Sequence, residues 1–220
     1  MAQEQDAIPP LVRQVIGQAR MKHVPRGQIL LYQGDTPAQV YIINSGVVKI
    51  HDIDDAGNEK ILHLVKSPSL IPYSFFSGLP SPLQWFYSTL TDCDVYVIDA
   101  GKLSEEVKKN GELYYLLGCD FSQNVHELLV RLSSLGKTNA KDKIIAVLKF
   151  LAVCHSTLRH SGWSRVNFSA THQLLADMAG LTRESTALVM KDLQTANIVR
   201  NPRMTILEID TQKLFKSNPV

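Results

Sequence analysis

The residues with the clearest capacity for molecular recognition are Arg183 and Glu184, which open a predicted helix near the C-terminal end of the chain. An arginine guanidinium is a planar fork of N–H donors, whereas a glutamate carboxylate only accepts hydrogen bonds. In a DNA major groove the arginine can donate to guanine O6 and N7, and the glutamate can accept from cytosine N4. Ala187 and Leu188 follow one turn later, where a small and an apolar side chain can meet a thymine methyl group. The alternative interpretation is that the Arg and Glu are only exposed charges of a first helical turn.

Two short helices separated by a glycine are needed to position these side chains. Ser169 or Thr171 can cap the first helix, Gly180 can adopt a left-handed conformation after it, and Thr182 can cap the second helix. The predicted helices span residues 172–179 and 183–195. Their expected inward-facing apolar residues are Leu175, Met178, Leu181, Val189 and Leu193. The pattern predicts a helix-turn-helix.

A basic hairpin is predicted directly after the second helix, with strands at 197–200 and 204–209 and a turn at 201–203. Arg200 and Arg203 of this hairpin could reach phosphate groups, which contribute affinity but no sequence information. The polar residues at helix starts and flanks that we expect to contact phosphate are Thr171, His172, Gln173, Thr182 and Lys191. Hairpin and helices together predict a winged helix-turn-helix.

The distribution of charge along the chain also favours a DNA-binding segment near the C-terminal end. Residues 1–136 contain 11 Lys and Arg against 15 Asp and Glu, whereas residues 137–220 contain 12 against 6. The net charge therefore changes from −4 to +6 within a chain whose overall formal charge is +2. A solvated basic surface without function is the alternative, but the excess falls on the segment that carries the recognition motif.

A long helix is predicted from Glu112 to Leu135 because apolar residues recur there at intervals of three and four. The stripe consists of Leu117, Phe121, Val125, Leu128, Leu132 and Leu135. Such a helix is about 36 Å long and needs a partner surface. We expect a second copy of the chain to supply that surface, giving a homodimer, with an intramolecular core as the alternative.

The spacing of apolar residues predicts strands before this long helix and a further helix after it. Short β-branched and aromatic runs between glycines, from about Gly27 to Ile98, predict an antiparallel roll with a hairpin turn at residues 54–58. After the long helix, Thr138 or Asn139 can cap another helix from Ala140 to about 155, whose inward stripe is Ile144, Leu148 and Leu151. The predicted class is α+β, with a sensor domain at 1–110, a dimerisation helix and hinge at 111–138, and a DNA-binding domain at 139–220.

Other functional classes find little support in the sequence. There is no apolar stretch of about 18 residues and no signal-peptide layout, so we expect a cytoplasmic protein that does not contact membranes. Cys93, Cys119 and Cys154 lie far apart and form no CxxC pair, and no metal site is predicted. We find no nucleophile–base pair and no glycine-rich phosphate loop, so no enzyme is expected.

The order of these parts resembles the Crp/Fnr (cAMP receptor and Fnr) family of transcription regulators over nearly the whole chain. The segments that carry the resemblance are 27–35, 41–49, 57–62 and 180–186. The resemblance implies a cyclic-nucleotide-binding-like β-roll, a dimerisation helix and a C-terminal winged helix-turn-helix. It also implies a regulator that binds double-stranded DNA as a homodimer at a pseudo-palindromic operator, with Arg183 and Glu184 reading bases. A further base-reading arginine of some members falls on Leu188.

The segment that would hold a cyclic nucleotide departs from the family pattern. In the resembled family, the nucleotide-binding segment reads Gly-Glu-Leu followed by Arg-Ser, whereas the aligned positions here are Pro72-Tyr73-Ser74 and Leu83-Gln84. The polar pair of residues that contacts adenine in the family aligns with Leu128 and Leu129. A buried phosphate without a cationic partner is costly, so we expect no cofactor and neither cAMP nor cGMP as effector. The aromatic segment 70–87 could instead line a pocket for a small apolar or aromatic effector, or its rings could simply fill the space that a nucleotide would occupy. The residues predicted to line such a pocket are Tyr73, Ser74, Leu83, Gln84, Trp85, Leu128 and Leu129.

One rival function comes from another class, a cyclic-nucleotide-type regulatory subunit that acts on a protein partner. The C-terminal winged helix argues against it. Family members also touch RNA polymerase, and the surface loops at 52–58 and 155–162 are the candidate contacts in this chain.

Overall fold

The computed structural model describes residues 19–78, 81–159, 162–203 and 206–216, with the side chains of 133–135 and 202–203 outside that description. The chain forms two compact units. The first comprises Met1–Asp52 and Leu62–His126, and the second Ile53–Ile61 and Glu127–Val220. The division falls within the long helix rather than at its ends, and the three-segment division at 1–110, 111–138 and 139–220 stays a prediction.

Eight strands are present in the described residues of the N-terminal part, 19–78 and 81–99. They are β1 (Arg20–Val24), β2 (Ile29–Leu31), β3 (Gln39–Ser45), β4 (Val47–Ile53), β5 (Glu59–Lys66), β6 (Ser69–Ile71), β7 (Phe86–Thr89) and β8 (Cys93–Asp99). They form two four-stranded sheets, in the orders β1-β8-β3-β6 and β2-β7-β4-β5. The predicted antiparallel roll is therefore confirmed, and β1 lies before the predicted start of the roll at about Gly27.

The two sheets enclose an apolar core. Its buried residues include Ile43, Val48, Ile50, Val65 and Val95, which come from both sheets. The alternation of these residues along each strand places their neighbours on the outer faces. The turn between β3 and β4 requires Gly46, whose φ is 94° and whose hypothetical Cβ would collide with the Asp92 carbonyl oxygen and lie 2.6 Å from Cys93 Sγ.

Two helices cover the outer face of the first sheet. Helix α1 (Ala100–Lys109) begins at Asp99, whose side chain accepts a hydrogen bond from Lys102 N. Helix α2 (Gly111–Leu135) confirms the predicted long helix. Leu103, Leu113 and Leu117 of these helices pack in one cluster with residues of β3, β6 and β8.

Polar contacts also fix α2 to strand β6. Asp120 accepts hydrogen bonds from Ser69 Oγ and from the backbone N of Leu70, at 2.9 and 3.0 Å. Asn124 donates to Ser69 Oγ at 2.9 Å and is itself buried. Because buried polar groups are costly unless they are hydrogen-bonded, these contacts set the rotation of α2 about its axis.

The C-terminal unit combines helices with a small sheet. Its helices are α3 (Ala140–Cys154), α4 (His172–Ala179), α5 (Arg183–Thr195) and α6 (Thr211–Lys216). Its strands are β9 (Ser156–Leu158), β10 (Trp163–Val166), β11 (Val199–Arg203) and β12 (Ile206–Asp210), in the sheet order β11-β12-β10-β9. Asn139 caps α3 through a hydrogen bond from Asp142 N, and the predicted inward residues Ile144, Leu148 and Leu151 are fully buried. None of the described helices combines the length and the apolar character needed to cross a bilayer.

Candidate nucleic-acid interface

Helices α4 and α5 meet at a three-residue turn. Gly180 ends α4 with φ 61° and ψ 48°, a left-handed conformation that glycine adopts at little cost. The hydroxyl of Thr171 accepts from Leu174 N at 3.1 Å at the start of α4. The hydroxyl of Thr182 accepts from Ser185 N at 3.2 Å at the start of α5. The predicted helix bounds, glycine turn and threonine caps are confirmed.

The buried faces of these helices differ slightly from the prediction. Leu175, Met178 and Leu193 are buried as expected, whereas Leu181 and Val189 are only half-buried. Thr186 and Met190 of α5 are buried instead. The helix is therefore rotated by a fraction of a turn from the predicted orientation, and the opposite face of α5 is left open.

The exposed face of α5 carries the residues predicted to read bases. Arg183, Glu184 and Leu188 are exposed, with Leu188 at 68% of its full accessible surface, and Ala187 is half-buried. Lys191 is exposed one turn beyond Leu188. Residues three, four and seven positions apart on a helix share one face, so α5 presents a mixed polar and apolar strip.

The predicted phosphate contacts of α4 lie at its N-terminus. Thr171 and Gln173 are exposed and His172 is half-buried. The Gln173 amide donates to Asp177 Oδ1 at 2.6 Å, one turn later. The Thr171 hydroxyl uses its oxygen as acceptor and also carries one donor that can point toward an anion. The Thr182 hydroxyl instead donates to Ser185 Oγ at 2.9 Å.

The structure corrects the predicted hairpin. Residues Asn201, Pro202 and Arg203 belong to strand β11 rather than to the turn, and Arg203 pairs with Ile206 of β12. Arg200 therefore lies opposite Glu208, and its Nε donates to Glu208 Oε2 at 2.7 Å. A turn at 201–203 would have placed Arg200 opposite a different residue, so the misplaced turn concealed this ion pair.

Arg200 has a second partner that no sequence motif indicates. Its guanidinium carbon lies 4.1 Å from the centroid of the Trp163 ring on β10. An arginine stacked on an indole and paired with a carboxylate is held in place, yet the side chain of Arg200 remains about half exposed, at 54%. The side chain of Arg203 lies outside the described residues.

A buried arginine supports α4 from within the second unit. Arg131 donates hydrogen bonds to the carbonyl of Met178, in the last turn of α4, and to the carbonyl of Ile61 at 3.3 Å. The last four carbonyls of a helix have no partner within the helix, and a cation suits that end of the helix dipole. Burial lowers the pKa of Arg131 to about 10, so the side chain keeps its charge at neutral pH. Sequence periodicity does not indicate this contact, because it joins residues that are far apart in the chain.

Helix α2 carries two different faces. The predicted stripe does not hold as one face, because Leu117 is buried in the core of the first unit and Phe121 packs on Phe76, with ring centroids 4.8 Å apart. Leu128 is half-buried, whereas Val125 and Leu132 are exposed, and the side chain of Leu135 is outside the described residues. Each step of four residues turns 40° beyond a full helical turn, so the two successive steps from 117 to 125 leave the starting face.

A regular exposed stripe is present on α2 at a different phase. Its members follow alternating intervals of three and four, and all but the half-buried Gly118 are exposed. They are Tyr115, Gly118, Ser122, Val125, Leu129 and Leu132. Leu129 is 60% exposed and Leu132 is 56% exposed. We call these six residues the α2 stripe.

The segment aligned with the nucleotide-holding part of the family is packed with aromatic rings. Tyr73 begins a short 3-10 helix (Tyr73–Ser77), and its ring lies 5.9 Å from that of Phe121. The Tyr87 hydroxyl meets the backbone of Tyr73, and burial raises the pKa of Tyr87 to about 12. These contacts lie in the first unit and tie the 3-10 helix both to the sheet and to α2.

The remaining predicted pocket residues are not gathered around one cavity. Leu83 is buried in the core between the sheets, whereas Gln84 and Trp85 are exposed. Ser74 lines a cavity of about 260 Å³ beside Thr36 and the start of α1. Leu128 and Leu129 belong to the second unit.

An exposed strip on one helix of a glycine-linked helix pair, followed by a basic hairpin, defines a winged helix-turn-helix protein. Comparison with known protein families supports this class. Residues 21–110 match the model of the cyclic nucleotide-binding domain, and residues 142–215 match the model of the Crp-like helix-turn-helix domain. The chain belongs to the Crp/Fnr family of DNA-binding transcription regulators.

Individual relatives are distant but extend over most of the chain. The chain is 24% identical to the HTH-type transcriptional regulator ArcR of Staphylococcus epidermidis, over 83% of this chain and 78% of that protein. It is 20% identical to the cAMP-activated global transcriptional regulator CRP of Haemophilus influenzae, over 90% and 88% of the two chains. The structure of the c-di-GMP responsive regulator CLP of Xanthomonas campestris superposes with a TM-score of 0.74 at 20% identity, covering 90% of this chain and 97% of that one. These relatives are named as regulators and not as enzymes.

Proposed function

We propose that the chain is a cytoplasmic homodimer that reads a pseudo-palindromic operator through α5 and does so without a cyclic nucleotide. The observation that carries this proposal is the open face of α5, where Arg183, Glu184 and Leu188 are exposed above a buried opposite face. A helix in the major groove needs such side chains at its N-terminal end, because that end contacts the base edges.

Base recognition is assigned to four residues of α5. Arg183 donates to guanine and Glu184 accepts from cytosine, while Ala187 and Leu188 provide the apolar part of the surface. Arg183 and Glu184 lie in the first turn of α5, directly after its capping threonine. Their backbone is therefore fixed while their side chains remain available.

Phosphate contacts surround this strip. Thr171, His172 and Gln173 lie at the start of α4, and Thr182 and Lys191 lie on α5. The backbone N–H groups of helix starts add to their attraction for phosphate. Arg200 of β11, oriented by Trp163 and Glu208, extends the basic surface, and Arg203 is assigned as a further phosphate contact.

Dimerisation is assigned to the α2 stripe. Its period of three and four residues fits a parallel two-helix seam, in which Gly118, Val125 and Leu132 are separated by whole heptads. Leu129 and Leu132 are large apolar side chains that one protomer leaves in water, and a second copy would bury them. Two copies joined in this way present two α5 helices about 34 Å apart, one turn of B-DNA.

The first unit is proposed to hold neither cAMP nor cGMP. A cyclic phosphate needs a cation or several donors, whereas positions 83 and 84 offer a buried leucine and a glutamine whose amide donates to the Pro82 carbonyl at 3.1 Å. The aromatic contacts of Tyr73 and Phe76 with Phe121 already use the adjacent space. The residues present do not fit a cyclic nucleotide.

Selection of binding sites from a random duplex pool tests the DNA-reading function. The purified full-length chain, with no ligand added, is expected to enrich a two-fold symmetric site. Enrichment of a single half-site would contradict the dimer. No enrichment of any duplex would favour the rival function, a regulatory subunit that acts on a protein partner.

Disulfide trapping tests the dimer separately. In a Cys119→Ser background, Val125→Cys is expected to form a disulfide-linked dimer on mild oxidation, because equivalent seam positions of parallel helices face each other. Gln123→Cys is the matched control, since it is exposed on α2 but lies outside the α2 stripe. Equal cross-linking of both variants would contradict the proposed seam.

Contact with RNA polymerase is assigned to residues 52–58 and 155–162, although the prediction that both are loops needs correction, because Ile53 ends β4 and Ser156–Leu158 form β9. In the first segment, Asp54 accepts hydrogen bonds from Ala56 N and Asn58 N, so the segment has a defined shape. Replacing exposed residues of these segments should leave DNA affinity unchanged and alter transcription from a promoter that carries the selected site.

A further inference from the structure

Leu188 stands out among the apolar residues of α5. Met190 and Leu193 of the same helix are each 1% exposed, whereas Leu188 is 68% exposed. It lies one turn after Glu184, on the strip that we propose to face DNA. An isolated exposed leucine is ordinary on a protein surface, but this one occupies a position that polar readout would otherwise use.

We infer that Leu188 reads a thymine by burying the C5-methyl group of that base. This inference rests on the proposed function, because it requires α5 to lie in the major groove. It assigns to this chain a specificity-determining contact that is apolar, next to the polar contacts of Arg183 and Glu184.

The chemistry of the groove supports thymine as the partner. Across the four base pairs, the major-groove edges present N and O donors and acceptors, and the thymine methyl is the only methyl group among them. A leucine placed against a purine N7 or a cytosine N4 would remove water from these groups without replacing their hydrogen bonds. Against a thymine methyl, both partners lose only apolar surface to water.

The spacing along α5 predicts where the thymine lies. Leu188 is four residues after Glu184, a rise of about 6 Å along the helix axis. Stacked base pairs are about 3.4 Å apart. The thymine should therefore lie within about two base pairs of the G·C pair that Glu184 contacts.

Deoxyuridine substitution tests the contact with the smallest possible change. Each thymine of the duplex recovered by site selection is replaced in turn, in both half-sites, by deoxyuridine, which pairs in the same way but lacks the methyl group. For the wild-type chain, deoxyuridine at one thymine position should weaken binding, because each replacement removes one buried methyl group. The expected loss of affinity is about fourfold when one half-site is replaced and about fifteenfold when both are.

The coupling to Leu188 is measured with a double-mutant cycle. Leu188→Ala should bind the unmodified duplex more weakly and should show no further loss when that one thymine is replaced. Leu188→Met, which keeps an apolar side chain of similar size, should retain most of the deoxyuridine effect. Leu158→Ala is the matched control, because Leu158 is 70% exposed but lies on β9.

The outcomes separate this inference from the proposed function. A two-fold site with no thymine within two base pairs of the Glu184 contact, or a deoxyuridine effect that persists in Leu188→Ala, would overturn the leucine contact and leave the DNA-reading dimer intact. A chain that enriches no duplex would overturn the proposed function and the leucine contact together. Loss of the deoxyuridine effect in Leu158→Ala as well would also contradict the assignment.

Discussion

The helix-turn-helix and the nucleotide-like segment of the β-roll differ in how they use their polar groups. In α4 and α5 the threonine hydroxyls cap the helices, while Arg183 and Glu184 remain exposed for a ligand. In the segment from Tyr73 to Trp85, rings pack on rings and the aligned anchor position, Leu83, is buried in the core. One region keeps free hydrogen-bonding capacity at its surface, and the other has exchanged it for internal packing.

Under the proposed function, this difference means that the chain keeps the family fold without binding a cyclic nucleotide. Function depends on the residues of a site rather than on the fold alone, and exposed side chains can contact a ligand whereas packed rings contribute to stability. The comparison predicts that substitutions on α5 alter DNA binding and leave the fold intact. Substitutions among the aromatic rings should destabilise the fold and leave DNA binding by the folded chain unchanged.

The largest effect on DNA binding is expected for Arg183→Ala. Loss of a bidentate guanine contact should cost about 1–3 kcal/mol in each half-site, or about 2–6 kcal/mol for the dimer. Equilibrium titration of the selected duplex and of a random duplex measures this, and the loss should be confined to the selected one. Equal losses on both would remove Arg183 from base readout.

The next effect concerns the cluster of rings formed by Tyr73, Phe76 and Phe121. Phe121→Ala should lower the free energy of unfolding by about 2 kcal/mol, less than for a fully buried ring because Phe121 is only half-buried. Trp85→Ala, on an exposed ring that is not part of this cluster, should change the free energy of unfolding by about 0.5 kcal/mol or less. Urea unfolding at one protein concentration measures both, and equal small effects would indicate an open pocket rather than a packed cluster.

A smaller effect is expected at the cap of α4. Thr171→Ala should cost about 1 kcal/mol of stability, because Leu174 N loses its acceptor, and Thr171→Ser should restore it. If the hydroxyl also donates to phosphate, only the alanine variant should bind all duplexes more weakly. Thermal unfolding combined with titration of two unrelated duplexes distinguishes the two roles, and a serine variant as weak as alanine would contradict both.

The smallest effect is expected for Lys191→Gln. An interaction with phosphate is insensitive to sequence, so binding to every duplex should weaken alike, by a few-fold. The slope of log affinity against log salt should fall by about 1 for each lysine–phosphate pair removed, or about 2 for the dimer. A sequence-dependent reduction in affinity with an unchanged slope would instead place Lys191 at a base.

Much of the fold could be predicted because its determinants are local. Caps and a left-handed glycine define α4 and α5, and apolar periods define α2 and α3. Strand β1 lies before the predicted span of the roll, because its sequence does not alternate clearly between apolar and polar residues. The turn after β11 was misplaced because Asn-Pro favours a turn, whereas Pro202 is accommodated within the strand.

The site residues on α5 were accessible to sequence reasoning for the same local reason. The contacts that position them were not, because they join residues far apart in the chain. Arg131 with Met178 is one case, and Arg200 with Trp163 is another. The phase of the α2 stripe also depended on tertiary contacts, since Asp120 and Asn124 fix the inward face through Ser69.

Titration of the selected duplex with and without millimolar cAMP tests most directly the proposal that the chain binds DNA without a cyclic nucleotide. The affinity of the full-length chain for the duplex should be the same in both conditions, within about twofold. Tightening by about tenfold or more on addition of cAMP would contradict the account, because a ligand can shift binding only through a site that distinguishes the two states.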